Sequence, residues 1–348
     1  MAVVTGIDVL GIQRYVFASN RLRDVLSASW MVEHILSRET LAQWGKAGAR
    51  VLLAAGGNAI VEFENLADAR DWTRQYTRWL HDEAPGLEVV VAHRPYDGRP
   101  LAWALKALAI DLARAKLERR PTTPQLGLGV TAACSVTGLP ATAVDQGEFV
   151  SARIAALRKH SQQARTRWKR FLPESLNHAP GWTADFPDEL DRMGRTRGET
   201  SLIGVVHIDG NGVGRAIQQW LDRCLEDELD DGKVRTQCHE WSDKIVQLGE
   251  HVLKAVVNRV ASCIVEEEDE KQTKACLVRG TPYELGFTLR VDTTARQVLL
   301  PIRPILLGGD DLTLVCDGRI ALDLAVIALQ GFAAQPIPHL VRAAHPEH

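Results

Sequence analysis

Three aspartates are the residues best suited to chemistry. Asp310 and Asp311 directly follow Gly308 and Gly309 in PILLGGDDLTLV, and Asp209 ends the apolar run of SLIGVVHIDGNGVG. Two glycines at a hairpin tip permit backbone angles that residues with a Cβ avoid, so the turn is tight and approachable. Aspartates placed directly after it lie at the sheet edge, where they face a ligand. Three hard oxygen donors at one spot suit Mg²⁺ or Mn²⁺. Two such ions roughly 3.5–4 Å apart activate an attacking hydroxyl and stabilise a departing pyrophosphate. Without a metal the clustered carboxylates repel one another, a poor arrangement for stability alone.

A Gly-Gly-Asp-Asp run is by itself an ordinary hairpin turn. The flanking apolar strands and the strand-terminal Asp209 favour a functional reading. Gly210, Asn211 and Gly212 then give a backbone open enough to admit a nucleotide's phosphates or sugar. Gly210, Gly212 and Gly214 fall short of the dinucleotide fingerprint G-x-G-x-x-G, because the third glycine is one position early and no acidic residue closes the unit. A P-loop is absent.

The elements that must position these residues occur twice. In the first half, VVTGIDVLGIQ (3–13) is a strand that reaches Asp8, followed by a helix over 21–36. RVLLAAGGNAIVEF (50–63) makes a hairpin about Gly56 and Gly57. A helix over 68–84 and a strand over 87–95 complete β-α-β-β-α-β, a ferredoxin-like order. The second half repeats it, with a strand over 201–208, a helical insertion over about 215–266, a hairpin over 303–316 and a helix over 318–332. Superposing the glycine pairs sets Asn58 and Ala59 against Asp310 and Asp311, so the first copy reads as degenerate. The fold class is α+β, two tandem units over 1–100 and 201–348, with a helical and linker region over 101–200. That region is read as a helix (101–118), a strand (126–134), a basic helix (148–172) and an exposed, Pro- and Gly-rich linker (173–200). The run EEEDEKQTK (266–274) reads as a solvated turn, and QPIPHLVRAAHPEH (335–348) shows no strand pattern for a fourth strand.

Other residues are less specific. Ser27 and Ser29 are either small residues that let helices pack closely or hydroxyls that bond a triphosphate. The arginines of the basic helix read as a solvated face in preference to an RNA groove. By strand alternation His207 shares a face with Asp209, but a lone histidine there is more often packed. The six cysteines are scattered without CxxC pairs, which fits buried thiols better than disulfides or zinc. A net charge of −3 argues against a whole-surface nucleic-acid binder. No stretch approaches the about 18–20 apolar residues of a membrane span, and no signal peptide is evident, so a cytoplasmic protein is expected.

With those residues in view, the sequence resembles the palm domains of the large, polymerase-like subunit of type III CRISPR effector complexes, and more distantly GGDEF-type nucleotide cyclases. IDGNGVG (208–214), PIRPILLGGDDLTLVCDG (301–318) and GIQRYVFASNRLRDVLSASWMVE (11–33) carry the resemblance. CSVTGLPA (134–141) is similar to the family's small cysteine-containing element, without its zinc-binding cysteines. The resemblance implies two palms face to face, ATP at their interface, and cyclic or linear oligoadenylates as products in antiviral defence. It implies that Asp209, Asp310 and Asp311 hold the metals, that Gly308 and Gly309 form the turn, and that Ser27 and Ser29 reach phosphates from the first palm. An RNA or protein activator is expected, and fusion to or partnership with an effector. No nuclease domain of the HD type fits before residue 3. The alternative is a palm pair that binds nucleotide or RNA–protein partners without chemistry.

Overall fold

The computed structural model describes residues 1–44, 49–120, 127–193, 202–210, 212–268, 274–278, 287–289, 291–292 and 294–334. The first unit runs β1 (Val3–Leu10), α1 (Ile12–Val16), α2 (Leu22–Ile35), α3 (Arg38–Ala42), β2 (Arg50–Ala55), β3 (Asn58–Phe63), α4 (Leu66–Glu83) and β4 (Glu88–Pro95). Its strands form an antiparallel sheet in the order β2-β3-β1-β4. Alternation along β1 explains the layering. Val3, Ile7 and Val9 enter the main core with α2 and α4, whereas Val4 enters a second core with α5 (Leu101–Glu118). Helix α4 starts two residues earlier than expected because Asn65 caps it, accepting the Asp68 N–H at 2.9 Å.

The connecting region differs from its sequence reading in three places. Residues 127–134, expected as a strand, form turns with one isolated bridge at Ala133. Gly127 and Gly129 deprive that stretch of strand-stabilising side chains, and Leu128 and Val130 stand 72% and 94% exposed. The expected basic helix breaks into β6 (Glu148–Val150), which pairs with β5 (Ala143–Asp145), then α6 (Ala152–Lys159), α7 (Ser161–Thr166) and a 3₁₀ turn over Arg167–Phe171. Arg153, Arg158 and Arg167 turn inward, whereas Arg165 and Arg170 keep the expected solvated face. Arg158 is almost fully buried and bonds Asp145 at 2.7 Å, Glu148 at 3.1 Å and Asp24 at 3.2 Å. The expected linker is anchored by buried Leu176, Ala179, Trp182 and Phe186, and contains β7 (Thr183–Asp185). Its abundant Pro and Gly concealed the two aromatic anchors; residues 194–201 lie outside the described residues.

The second unit begins with β8 (Ile203–Ile208) and two helices in place of one, α8 (Val213–Glu226) and α9 (Asp231–Ser262). Short strands follow: β9 (Ile264–Glu268), β10 (Lys274–Val278), β11 (Phe287–Thr288), β12 (Val291–Asp292) and β13 (Gln297–Leu299). Residues 266–268 and 274 of the charged run thus lie in the paired strands β9 and β10 instead of a turn, and 269–273 lie outside the described residues. β14 (Ile302–Leu307), β15 (Leu312–Asp317) and α10 (Ala321–Ala334) complete the unit. Among the described residues its sheet has three strands, β14-β15-β8, and 335–348 lie beyond them.

Helix α9 locks the two units together. Ser242 accepts the Ala54 N–H of β2 at 3.2 Å. Arg235 donates to both oxygens of Glu62 on β3, at 2.8 and 2.7 Å, and the Tyr96 hydroxyl also donates to Glu62. Glu62 is 5% exposed. Burial opposes its charge, but the bonds from Arg235 and Tyr96 outweigh burial and hold the carboxyl below its usual range. Arg235→Met leaves that carboxylate buried without its main partner. It is expected to destabilise the fold by about 3–5 kcal/mol in denaturant titration, with much of the loss recovered when Glu62→Gln is added. Equal stability of wild type and the single variant would contradict this.

Candidate functional site

The ladder between β15 and β8 ends at Leu312 opposite Ile208. One step further along the same register brings Asp311 opposite Asp209. The Gly308 N–H closes the turn on the Asp311 carbonyl at 2.8 Å, so Gly309 and Asp310 are its central pair. In the first unit Ala55 pairs with Asn58 around Gly56 and Gly57, and Asn58 lies opposite Asp8. The superposition expected from the glycine pairs is therefore one residue out. Asp310 corresponds to Gly57, Asp311 to Asn58, and Asp209 to Asp8.

This register shows how the first copy is degenerate. It keeps one carboxylate, Asp8, which forms an ion pair with Lys116 of α5. An ammonium stands there beside a carboxylate whose counterpart sits in an all-acidic cluster. A Cβ on Gly6 would lie 2.7 Å from Leu112 and 3.1 Å from Leu108, so the bare glycine lets α5 cover that face.

In the second copy, Asp209, Asp310 and Asp311 each offer an oxygen within 4.8 Å of the others. Asp209 is exposed; the other two are half-buried. Three glycines allow this approach. A Cβ on Gly210 would stand 2.6 Å from the Asp310 Cβ. Gly309 has φ +88°, a left-handed value that favours glycine, and packs against Ile245 of α9. Gly249, one turn further along α9, faces the Gly309 carbonyl so closely that its own Cβ would be 2.3 Å away. The turn of the first copy abuts this one, with a Cβ position on Gly56 3.5 Å from the Gly308 oxygen.

The electrostatics are those of an unneutralised acidic cluster. Burial, a hydrogen bond with Asp209, and the charges of Asp310 and Asp209 push the Asp311 carboxyl up to about 7. Burial, and to a lesser degree Asp209, also raise that of Asp310, partly offset by a backbone hydrogen bond. Asp311 Oδ1 is buried with no hydrogen-bond partner. An orphaned carboxylate oxygen among two other carboxylates is the donor set a hard divalent cation satisfies. A carboxyl that is protonated more readily in the folded chain than in the unfolded one makes folding take up a proton between the ordinary carboxylate range and about 7. Stability of metal-free protein is then expected to fall as pH rises through that window. Thermal melting across it should show the decline in wild type and a shallower one in Asp311→Asn. Identical slopes would contradict the assignment.

A cleft of about 820 Å³ opens in front of Asp209 and Asp311, between the second sheet and α2 and the β2–β3 turn of the first unit. Ser29 lines it and accepts a bond from Arg167 at 2.8 Å. Ser27 does not line it: fully buried, its hydroxyl donates to the Arg23 carbonyl at 3.0 Å, a packing role. His207 lines the cleft beside Asp209 and is exposed, not packed; its Nδ1 lies 2.8 Å from the Thr313 hydroxyl. Gly212 caps α8 with φ +90°, and α8 has neither a side-chain cap nor an acidic residue in its first turn. Its first N–H groups thus remain available to an anion next to Asp209. Asn211 lies outside the described residues. Several further polar residues enter the cleft without any local sequence signature, among them Ser37, Arg38, Arg170, Gln247 and Glu250. Among the described residues no helix is long and apolar enough to cross a membrane.

No family model matches the chain, and no curated protein matches it. Solved structures do. The chain is similar to Csm1 in the Csm1-Csm4 cassette in complex with one ATP, with a TM-score of 0.53 and 14% identity over 96% of this chain and 48% of that one. The cassette in complex with cA4 gives 0.52 and 16% over the same shares. The Csm1-Csm4 subcomplex in the type III-A CRISPR-Csm interference complex gives 0.51 and 15%, again over 96% and 48%. The α+β fold is thus that of Csm1, in keeping with the resemblance in the sequence. The chain spans about half the length of the chains it matches.

Proposed function

We propose that the chain is a metal-dependent nucleotidyltransferase that joins nucleoside triphosphates into cyclic or linear oligonucleotides. The observation that carries this is the convergence of Asp209, Asp310 and Asp311 within 4.8 Å, with Asp311 Oδ1 buried and unpartnered, on a cleft between the two units. ATP is the favoured substrate, because Csm1 structures of the same fold are named as complexes with ATP, pppApA and cA4. The same names pair Csm1 with Csm4, which supports a protein partner here; a role in antiviral signalling with an RNA or protein trigger belongs to the same proposal.

The three carboxylates would hold Mg²⁺ or Mn²⁺. Such ions polarise phosphate oxygens and make a hydroxyl a better nucleophile near neutral pH. The chain's own residues do the rest. The Gly308–Asp311 turn fixes two carboxylates at the sheet edge, while Gly210 and Gly212 let phosphates approach the start of α8. Walls from both units hold two nucleotides at the reaction distance, which supplies much of the rate. The 3′-oxygen of one bonds to the α-phosphorus of the other, the α–β bridging bond breaks, pyrophosphate leaves, and the hydroxyl proton passes to solvent. Pyrophosphate release from each of the four triphosphates, with Mg²⁺ or Mn²⁺, tests this. Release that stops on adding EDTA is expected. Nucleotide binding without release under every condition would favour the non-catalytic palm pair.

A further inference from the structure

The first unit covers both edges of its initial strand, and the second leaves one open. β1 pairs with β3 on one side and with β4 on the other. Its counterpart β8 pairs with β15 alone among the described residues. The correspondence of Asp8 with Asp209 sets Val4 against Val205. Val4 lies beneath α5 and is 0% exposed, whereas Val205 is 67% exposed, with Leu202 and Ile203 exposed beside it. The Gly318 N–H bonds the Leu202 carbonyl at 2.8 Å, which turns the main chain of residue 202 towards β15. By alternation the backbone groups of Ile203, Val205 and His207 then face the open edge. Edge strands are ordinarily guarded by charged residues, proline or a bulge. The run LIGVVHI (202–208) contains no proline, lysine, arginine or carboxylate, and its pairing with β15 is unbroken from Ile203 to Ile208.

Helix α10 adds a second apolar surface beside that edge. Leu322, Val326 and Leu329 share one face at i, i+4 and i+7, and all three are more than half exposed. The start of α10 is pinned to β8, where a Cβ on Gly204 would lie 2.5 Å from that of Ala321. In the first unit the equivalent helix, α4, packs against β4 as well as β1. By the repeat, α10 overhangs the place that β4 fills there.

We propose that β8 pairs antiparallel with β8 of a second copy of this chain, independently of any chemistry at the carboxylates. β4 shows the polarity that this edge accepts, since it runs antiparallel to β1. A two-fold axis gives two identical strands the same polarity. With Val205 opposite its own copy, Ile203 lies opposite His207, and each such pair exchanges two hydrogen bonds. Val205 then packs beside a second valine, and His207, the one titratable residue on the seam, does not meet itself. The axis also brings the α10 stripe towards its copy on the same side of the joined sheet. The strand and the helix are each about 20 Å long, and the two layers together stand about 20 Å high. A footprint of about 400 Å² per copy is small against the roughly 800 Å² of a standard interface, so the dimer is a reversible one.

Sedimentation of the intact chain tests this between about 1 and 200 µM, the range in which a micromolar dimer dissociates. Monomer giving way to dimer is expected. Val205→Lys sets two like charges opposite each other on the seam, and is expected to leave monomer throughout with an unchanged melting temperature in dilute solution. Val205→Cys gives a positive readout, because such a pair holds its Cα atoms about 5.5 Å apart, within disulfide reach. Mild oxidation is expected to yield a covalent dimer of that variant, and none of Val130→Cys, whose position is 94% exposed in the connecting region. If Val205→Lys does not fold, the crosslink decides. A wild type that stays monomeric, or a dimer indifferent to Val205→Lys, would overturn the proposal. Capture of a peptide of residues 87–96 by such a monomer would then assign the edge to a strand of another source.

Discussion

Asp311→Asn is expected to yield a folded chain that melts at a higher temperature than wild type in metal-free buffer at neutral pH, yet has lost catalysis. The two effects have one origin. In the metal-free fold Asp311 carries a buried, unpartnered oxygen within reach of two like charges, and its carboxyl is pushed up to about 7. Removing the charge relieves repulsion and desolvation. With Mn²⁺ present the order reverses, because wild type gains the binding free energy of the ion and the variant does not. Loss of an outer-shell partner of a metal ligand already costs about 10–100-fold. Loss of a ligand itself is therefore expected to lower pyrophosphate release by more than about 100-fold. A variant that melts lower without metal, or retains turnover, would contradict the assignment. Asp310→Asn and Asp209→Asn are expected to share the loss of turnover.

Gly249→Ala is expected to be the most damaging change among residues that carry no chemistry. The added methyl would sit 2.3 Å from the Gly309 carbonyl oxygen and 3.0 Å from Leu307, so α9 and the carboxylate turn must separate. Overpacking of this kind costs about 1–3 kcal/mol, and the displacement falls directly on the residue preceding Asp310. Sub-ångström placement matters for a metal site, so turnover should fall about 100-fold, well beyond the effect on stability. Gly129→Ala serves as the control, since its Cβ would meet nothing within 4 Å and the position has no left-handed backbone. Thermal melting and pyrophosphate release on both variants separate the outcomes. Unchanged turnover in Gly249→Ala would mean that α9 does not fix the turn.

The chemistry of the site was more legible in the sequence than its exact correspondence between copies. Asp310 and Asp311 adjoin their glycines in the chain, and Asp209 ends a strand with clean alternation, so local pattern suffices to bring all three together. Matching glycine to glycine across the repeats misplaced the register by one. The first turn places both glycines at its centre, whereas the second uses Gly309 and Asp310, and a pairing ladder is not visible in composition. Ser27 and Ser29 were offered as one pair, but residues two apart on a helix do not face the same way. One enters the cleft and the other is buried beneath it.

What the sequence did not show depends on distant residues meeting. Arg38, Arg170 and Gln247 reach the cleft from three separate helical segments, each ordinary in its own window. Arg158 and Arg167 of the basic stretch over 152–170 look solvated in sequence because Arg158 reaches Asp24 and Arg167 reaches Glu33, each 134 residues away. Trp182 and Phe186 were masked by the prolines and glycines around them. An apolar cavity at Asp310 is built from residues of α5, α8 and α9 that in sequence read only as helix cores.

The central claim is that the three aspartates form a metal site that makes nucleotide–nucleotide bonds. The most direct measurement is mass spectrometry of the products formed by wild type and by the Asp310→Asn, Asp311→Asn double variant, each given all four triphosphates with Mg²⁺ or Mn²⁺. Cyclic or linear oligonucleotides from wild type, absent from the double variant, are expected. Oligonucleotides formed equally by both proteins would contradict it.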